Sequence, residues 1–256
     1  MYQLQIDLEN KEGKVMEKLE FTNKEAFSFA IAFIKGNWIL SLVSAFALLI
    51  LTFFGMIPLA GFIFMLASTI FYTSFQIYVA RVAKDSYFVE DVENRASQTT
   101  FKDFYLEFLP QSAGLTLGTF LLSMIFSVIF GGLLLDFITN GVLDTTTSLA
   151  LGSATAIILW LSYIAPAVIG YSFMADDFKE AFYRSFNVLN PNFWGKTLTS
   201  RYFKFISGWS IIAFGLSFVA MLAFSTIFLI PVGLVIIYIL ILYSGIVFIY
   251  TQEKLK

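Results

Sequence analysis

Charged side chains are so sparse in this chain that they mark where its apolar segments lie. Four stretches carry no Asp, Glu, Lys or Arg: Gly36 to Ala80, Phe108 to Leu135, Thr145 to Ala175, and Phe205 to Gln252. They contain 45, 28, 31 and 48 residues. A helix crossing a bilayer needs about 20 apolar residues, so each of the two middle stretches predicts one span. The outer stretches are too long for one. As a single helix the last would measure roughly 70 Å at about 1.5 Å per residue, more than twice the hydrocarbon thickness of about 30 Å. Each outer stretch is therefore expected to fold back as a helical hairpin. Gly55-Met56-Ile57-Pro58 and Ile230-Pro231-Val232-Gly233 supply the breaks, because proline removes a backbone donor and disfavours helix in the residue before it. Spans are predicted near 38–54, 57–80, 113–135, 147–172, 206–229 and 231–250.

The cations test this layout independently, since short translocated loops exclude Lys and Arg while cytoplasmic segments keep them. Lys11, Lys14, Lys18, Lys24 and Lys35 precede the first span, and Arg81, Lys84, Arg95 and Lys102 lie between the second and third. Lys179, Arg184, Lys196, Arg201 and Lys204 lie between the fourth and fifth, and Lys254 and Lys256 follow the sixth. All sixteen Lys and Arg thus fall on one side. Merging either hairpin into one span would scatter them over both faces. The pattern predicts a multi-pass protein of the cell membrane with both termini cytoplasmic.

A motif recurs before each pair of spans. Thr22-Asn-Lys-Glu-Ala-Phe27, Thr100-Phe-Lys-Asp-Phe-Tyr105 and Asp177-Phe-Lys-Glu-Ala-Phe182 begin 78 and 77 residues apart. Each places an oxygen acceptor at a helix cap (Thr22, Thr100, Asp177) and an acid three residues on (Glu25, Asp103, Glu180), the capping-box pattern that satisfies the free N–H groups of a first turn. Phe27, Ile31 and Ile34, then Phe104 and Phe108, then Phe178, Phe182 and Phe186 follow at the spacing of an apolar helical stripe. Lys35-Gly-Asn-Trp38 is echoed by Asn190-Pro-Asn-Phe-Trp194, with tryptophan at the membrane entry. The fold class expected is all-α integral membrane, with six transmembrane helices in three parallel repeats of amphipathic helix plus two spans. The repeats run 22–99, 100–176 and 177–253, inside a membrane domain of residues 22–256. All three enter and leave on one face, so their symmetry axis lies along the membrane normal. Residues 1–21 form a cytoplasmic segment in which alternating Tyr2, Leu4, Ile6 and Leu8, a turn at Glu9 to Gly13, and Val15 to Phe21 predict a β-hairpin.

The arrangement, with Asp177-Phe-Lys-Glu-Ala-Phe-Tyr-Arg-Ser-Phe186 followed by Asn192-Phe-Trp194, resembles the poorly characterised YciC-like polytopic proteins and the membrane domain attached to some glycerophosphodiester phosphodiesterases. The likeness covers most of the chain through topology and about twenty residues through motif. It implies six helices in the cytoplasmic membrane of a prokaryote and no assigned catalytic residues. Nothing outside the spans is long enough for a phosphodiesterase domain.

Composition narrows the chemistry. The chain is 58% hydrophobic and 13% charged with mean hydropathy +0.80, against about 25% charged in soluble domains, so its solvent is largely lipid. It has no Cys and no His, which removes disulfides, thiolate nucleophiles, imidazole acid–base chemistry and the commonest zinc ligands. A formal net charge of −2 gives no reason to expect nucleic acid as a partner. The stretch MYQLQIDLENKEGKV lacks an apolar core and a cleavage site, and no removable signal is expected.

No ionisable residue falls within the predicted spans, which argues against proton relays, voltage sensing and paired-carboxylate proteolysis. Channels or carriers for neutral or apolar solutes remain compatible. The polar groups inside are chiefly Ser68, Thr69, Thr73, Ser74, Gln76, Ser123, Ser127, Ser153, Thr155 and Ser162. Candidate binding residues are Gln76, Trp160, Ser162 and Pro166; against them stand interhelical hydrogen bonding for Gln76 and Ser162, aromatic packing for Trp160, and a packed kink for Pro166. Gly114 and Gly118, and likewise Ser148 and Gly152, are spaced for close helix packing, read as packing within the chain with a homodimer as the alternative. Glu90, Asp91, Glu93, Asp176 and Asp177 contain the oxygen donors of a hard-metal site, but neighbouring Lys84, Arg95 and Lys102 favour a solvated mixed-charge loop. No catalytic residue, metal or cofactor is expected. The leading expectation is a non-enzymatic scaffold, accessory or lipid-organising protein, with membrane lipids and a protein at the cytoplasmic face as partners. The alternative is a transporter or channel for a neutral or apolar substrate.

Overall fold

The computed structural model describes residues 21–58, 60–140 and 145–256. Its elements are α1 (Asn23–Gly36), α2 (Trp38–Phe54), α3 (Gly61–Lys84), α4 (Val89–Gln98), α5 (Phe101–Leu106), α6 (Leu109–Asn140), α7 (Thr145–Phe173), α8 (Phe178–Ser185), a 3-10 turn (Phe186–Leu189), α9 (Pro191–Thr197), α10 (Ser200–Phe224), a second 3-10 turn (Ile227–Leu229) and α11 (Ile230–Lys254). No strand occurs among the described residues. The expected β-hairpin over residues 1–21 lies almost wholly outside them. Five helices or helix runs are long and apolar enough to cross a membrane: α3, α5 with α6, α7, α10 and α11. A sixth comes from α1 and α2, joined through a 102° bend. The protein is an all-helical bundle with five to six candidate spans.

The three repeated motifs do open helices. Thr22, Thr100 and Asp177 are the N-caps of α1, α5 and α8, and each accepts a hydrogen bond from the backbone N–H three residues on. Asn37 sits in the bend and caps α2 by accepting from Leu40 N–H at 3.1 Å, while its amide donates to the Ala96 and Thr99 carbonyls. Its counterpart Asn190 caps α9.

The last helix is the hub. α11 packs against α10, α3, α7 and α1, burying Tyr238, Leu242, Tyr243, Ile246, Val247 and Tyr250. Each motif helix also rests on the second long helix of the hairpin before it, in circular order. The rings of Phe104 on α5 and Phe75 on α3 stack at 5.3 Å, and Arg184 on α8 donates to the Tyr171 carbonyl on α7 at 2.7 Å. On α1, Asn23 closes the circle by accepting from the Tyr243 hydroxyl of α11 at 2.9 Å. Outward faces are apolar, with Phe46, Phe53, Ile63, Val128, Leu159, Ile211, Phe214 and Phe228 all exposed. Such a surface is compatible with lipid around it.

Two expectations change. The acidic loop around Glu90, Asp91 and Glu93 is the helix α4, which buries Val92 and Ala96 against α1. Its N-terminus is held by the Asp91 carboxylate, which accepts from the Tyr87 and Phe88 N–H groups. The Gly114/Gly118 pair does pack closely within the chain, against α8, whose Phe178 and Phe182 carbonyls and Ser185 hydroxyl lie where β-carbons would stand. Gly152 has nothing within 4 Å of such a position, so the Ser148/Gly152 pair makes no close approach within the chain.

Candidate functional site

On α3, Thr69, Thr73 and Gln76 stand at positions i, i+4 and i+7, so one helical face carries all three. Thr116 and Thr119 do the same on α6, and Ser244 on α11 faces both. The helices are pinned around them. Gln76 Nε2 donates to the Ile241 carbonyl of α11 at 2.8 Å, Ser112 of α6 donates to the Ile70 carbonyl of α3, and the Phe248 carbonyl of α11 abuts Gly170 of α7 where only a hydrogen fits. These fixings leave a space of about 250 Å³ between α3, α6, α7 and α11. Around it stand Thr69, Thr73, Gln76, Thr116, Thr119 and Ser244, with Tyr72, Leu115, Ile169, Leu240, Ile241 and Phe248 as the remaining wall. None of the twelve is exposed and none is charged.

Most of the lining hydroxyls are already engaged. Thr69 donates to the Met65 carbonyl at 2.9 Å, Thr119 to Leu115 at 2.9 Å, and Ser244 accepts from Trp209 Nε1 at 3.1 Å. Thr116 is different. It is 3% exposed and its Oγ1 has no hydrogen-bond partner, although buried hydroxyls ordinarily find one. The cavity thus combines satisfied polar walls with one orphaned hydroxyl.

A second space of about 250 Å³ adjoins the first, between α6, α7, α8 and the first 3-10 turn, and shares Thr119 and Ile169 with it. Leu122, Phe126, Leu161, Ala165, Val168 and Val188 give it an apolar lining. Ser123 and Ser162 stand exposed at its edge, so it opens outward. A third, of about 350 Å³, lies beside the charged ends of α7 and α11. There Asn187 donates to the Arg184 carbonyl and Asn190 to the Asn187 side chain.

Of the four residues singled out from the sequence, Gln76 lines the first cavity and Ser162 the second. Trp160 lines neither; it packs edge-on against Trp194, ring centroids 6.2 Å apart. Pro166 is buried within α7, and the carbonyls beside it are met from other helices, Tyr163 by the Tyr202 hydroxyl and Ala167 by Gln252 Nε2, both at 2.8 Å. Pro166 lines neither of these two cavities. Thr116, Thr119, Tyr72 and Ser244 were not anticipated; the sequence signal for them is polar residues at helical spacing, read on α3 but not on α6 or α11.

At the charged end, two arginines cover the C-terminal carbonyls of α7. Arg81 reaches from α3 to Phe173 at 3.0 Å and Ala175 at 2.6 Å, and its guanidinium lies 4.5 Å from the Phe108 ring centroid. Arg184 reaches Tyr171 and pairs with Glu180. The Asp176 N–H bonded to Glu180, aided by Arg184, holds that carboxyl below its usual range. Among the described residues no three acidic side chains gather as a metal site.

No protein-family model, curated protein or solved structure matches the chain.

Proposed function

We propose that this protein is a non-enzymatic membrane carrier that holds a neutral or apolar substrate inside its bundle. In this reading six spans, both ends cytoplasmic, form three parallel units around the intramembrane cavity, a layout in keeping with the resemblance to YciC-like proteins. The observation that carries it is the uncharged, hydroxyl-lined space between α3, α6, α7 and α11 with Thr116 unpartnered on its wall. Ligand pockets are few, mostly preformed and supplied with a small number of placed polar groups. A charged substrate would meet no countercharge here and would pay its full desolvation cost.

The test is extraction of the protein purified in its native lipids, followed by mass spectrometry of what it carries. One defined molecule is expected at about one per chain, and a variant with the space filled, Thr73→Phe, is expected to lose it. An empty wild type, or the same molecule retained by the filled variant, removes the reading.

A second reading keeps the scaffold role expected from the sequence. It is favoured by α4, which turns Glu90, Glu93, Asn94 and Arg95 outward beside the motif helices. Recovery of a stoichiometric partner from native membranes, lost on reversing the charges of Glu90 and Glu93, supports that role; its consistent absence counts against it.

A further inference from the structure

We infer that the two adjoining cavities are the head and tail chambers of one site, which takes a monoacyl amphiphile with an uncharged, hydrogen-bonding head. The inference rests on the carrier reading and names its substrate class.

The chambers differ in chemistry. The first is partly open and carries seven hydroxyl or amide side chains and no charge. It suits a hydroxyl, ester or amide head; the Thr116 hydroxyl stands enclosed and unpartnered behind that wall, and a χ1 turn presents it to the head. A phosphate or carboxylate would sit there without a cation, since Arg81 and Arg184 are committed to the end of α7. The second chamber is apolar and opens at Ser123 and Ser162, facing the lipid side of the α6–α7 pair. An acyl chain gains there by leaving no polar wall uncovered. Thr119 and Ile169 border both chambers, which puts the head–chain junction between them. The chamber volumes argue for one chain.

The experiment uses the full chain in phospholipid nanodiscs, because sugar-headed detergents belong to the proposed ligand class. Three probes of equal chain length compete with a photoactivatable monoacylglycerol: monooleoylglycerol, oleate and octadecene. Monooleoylglycerol is expected to displace the label, with the other two at least tenfold weaker. Thr116→Val should weaken monooleoylglycerol by about five- to tenfold, the worth of one uncharged hydrogen bond, and leave octadecene unchanged; Thr116→Ser, which keeps the hydroxyl, should restore it. Ile169→Trp, at the junction, should abolish labelling. Should Thr116→Val fail to fold, the probe ranking and Ile169→Trp still decide. Equal displacement by octadecene, or tighter displacement by oleate, overturns the head-and-tail assignment while the carrier reading stands. No saturable labelling at all overturns both.

Discussion

Arg81 shows how one side chain can tie distant parts of the chain. Its cation sits at the end of α7, where aligned peptide dipoles leave partial negative charge on unbonded carbonyls. Arg81→Met removes both donors from the buried Phe173 and Ala175 carbonyls, at a cost of about 2 kcal/mol. Arg81→Lys should recover only part of this, since a single ammonium cannot reproduce the planar fork. Equilibrium unfolding in mixed micelles measures both, and an unchanged midpoint for Arg81→Met refutes the assignment. Glu180 adds a pH signature. Its folded-state pKa lies below the usual 4.5, chiefly because the Asp176 N–H bonds the charged form. The contribution is therefore present above 4.5 and fades as the pH falls through the lower, folded-state value. Glu180→Gln should be less stable than wild type at neutral pH, and the gap should close on acidification below 4.5; a gap constant with pH removes this account. At this scale the site was only partly legible. Thr69, Thr73 and Gln76 announce a polar face because they lie on one helix, whereas Thr116 and Ser244 join them only through packing, from about 40 and about 170 residues further along the chain.

Helices were more legible than side-chain clusters, because a span is written in a continuous run of uncharged residues. The reading of 38–54 coincides with α2, and the other long helices extend a few residues beyond or short of the reading where charged residues such as Arg81 and Lys84 continue the helix past the apolar run. α4 escaped notice because four of its ten residues are charged, so its apolar positions Val89, Val92 and Ala96 are hidden among solvated ones. Of the two small-residue pairs, Gly114/Gly118 marked a close approach within the chain with the partner left open, and Ser148/Gly152 did not. Gly114 and Gly118 allow the backbone of α8 to lie on α6, and any side chain there must push the helix off its seat. Gly114→Ala should cost about 1–3 kcal/mol through overpacking. Gly152→Ala faces open space and should be neutral, or stabilising by up to about 1 kcal/mol from helix propensity. A chemical-denaturation comparison checks the pair; equal effects would mean that α8 does not rest on Gly114.

For the molecule as a whole, one asymmetry organises everything else. Arg81, Arg95 and Arg184 each bond a carbonyl at the end of the bundle shared by the C-termini of α3 and α7, and Lys256 pairs with Glu253 just beyond α11. The far turns, Gly55 to Ala60 between α2 and α3 and Ser225 to Leu229 between α10 and α11, carry no charge. A bilayer amplifies such a difference, because a cluster of cations resists transfer across hydrocarbon while an apolar hairpin enters it. Both outer hairpins should therefore present their turns to the side opposite the cations. The chain contains no cysteine, so single replacements report without background. Cysteine at Pro58 or Thr226 should react with an impermeant maleimide in right-side-out vesicles and be protected in inside-out ones, and cysteine at Ser97 or Asn192 should give the opposite pattern. If Pro58 and Ser97 label from the same side, α3 does not cross the membrane, and the cavity would then lack a lipid-embedded wall from which to take its ligand.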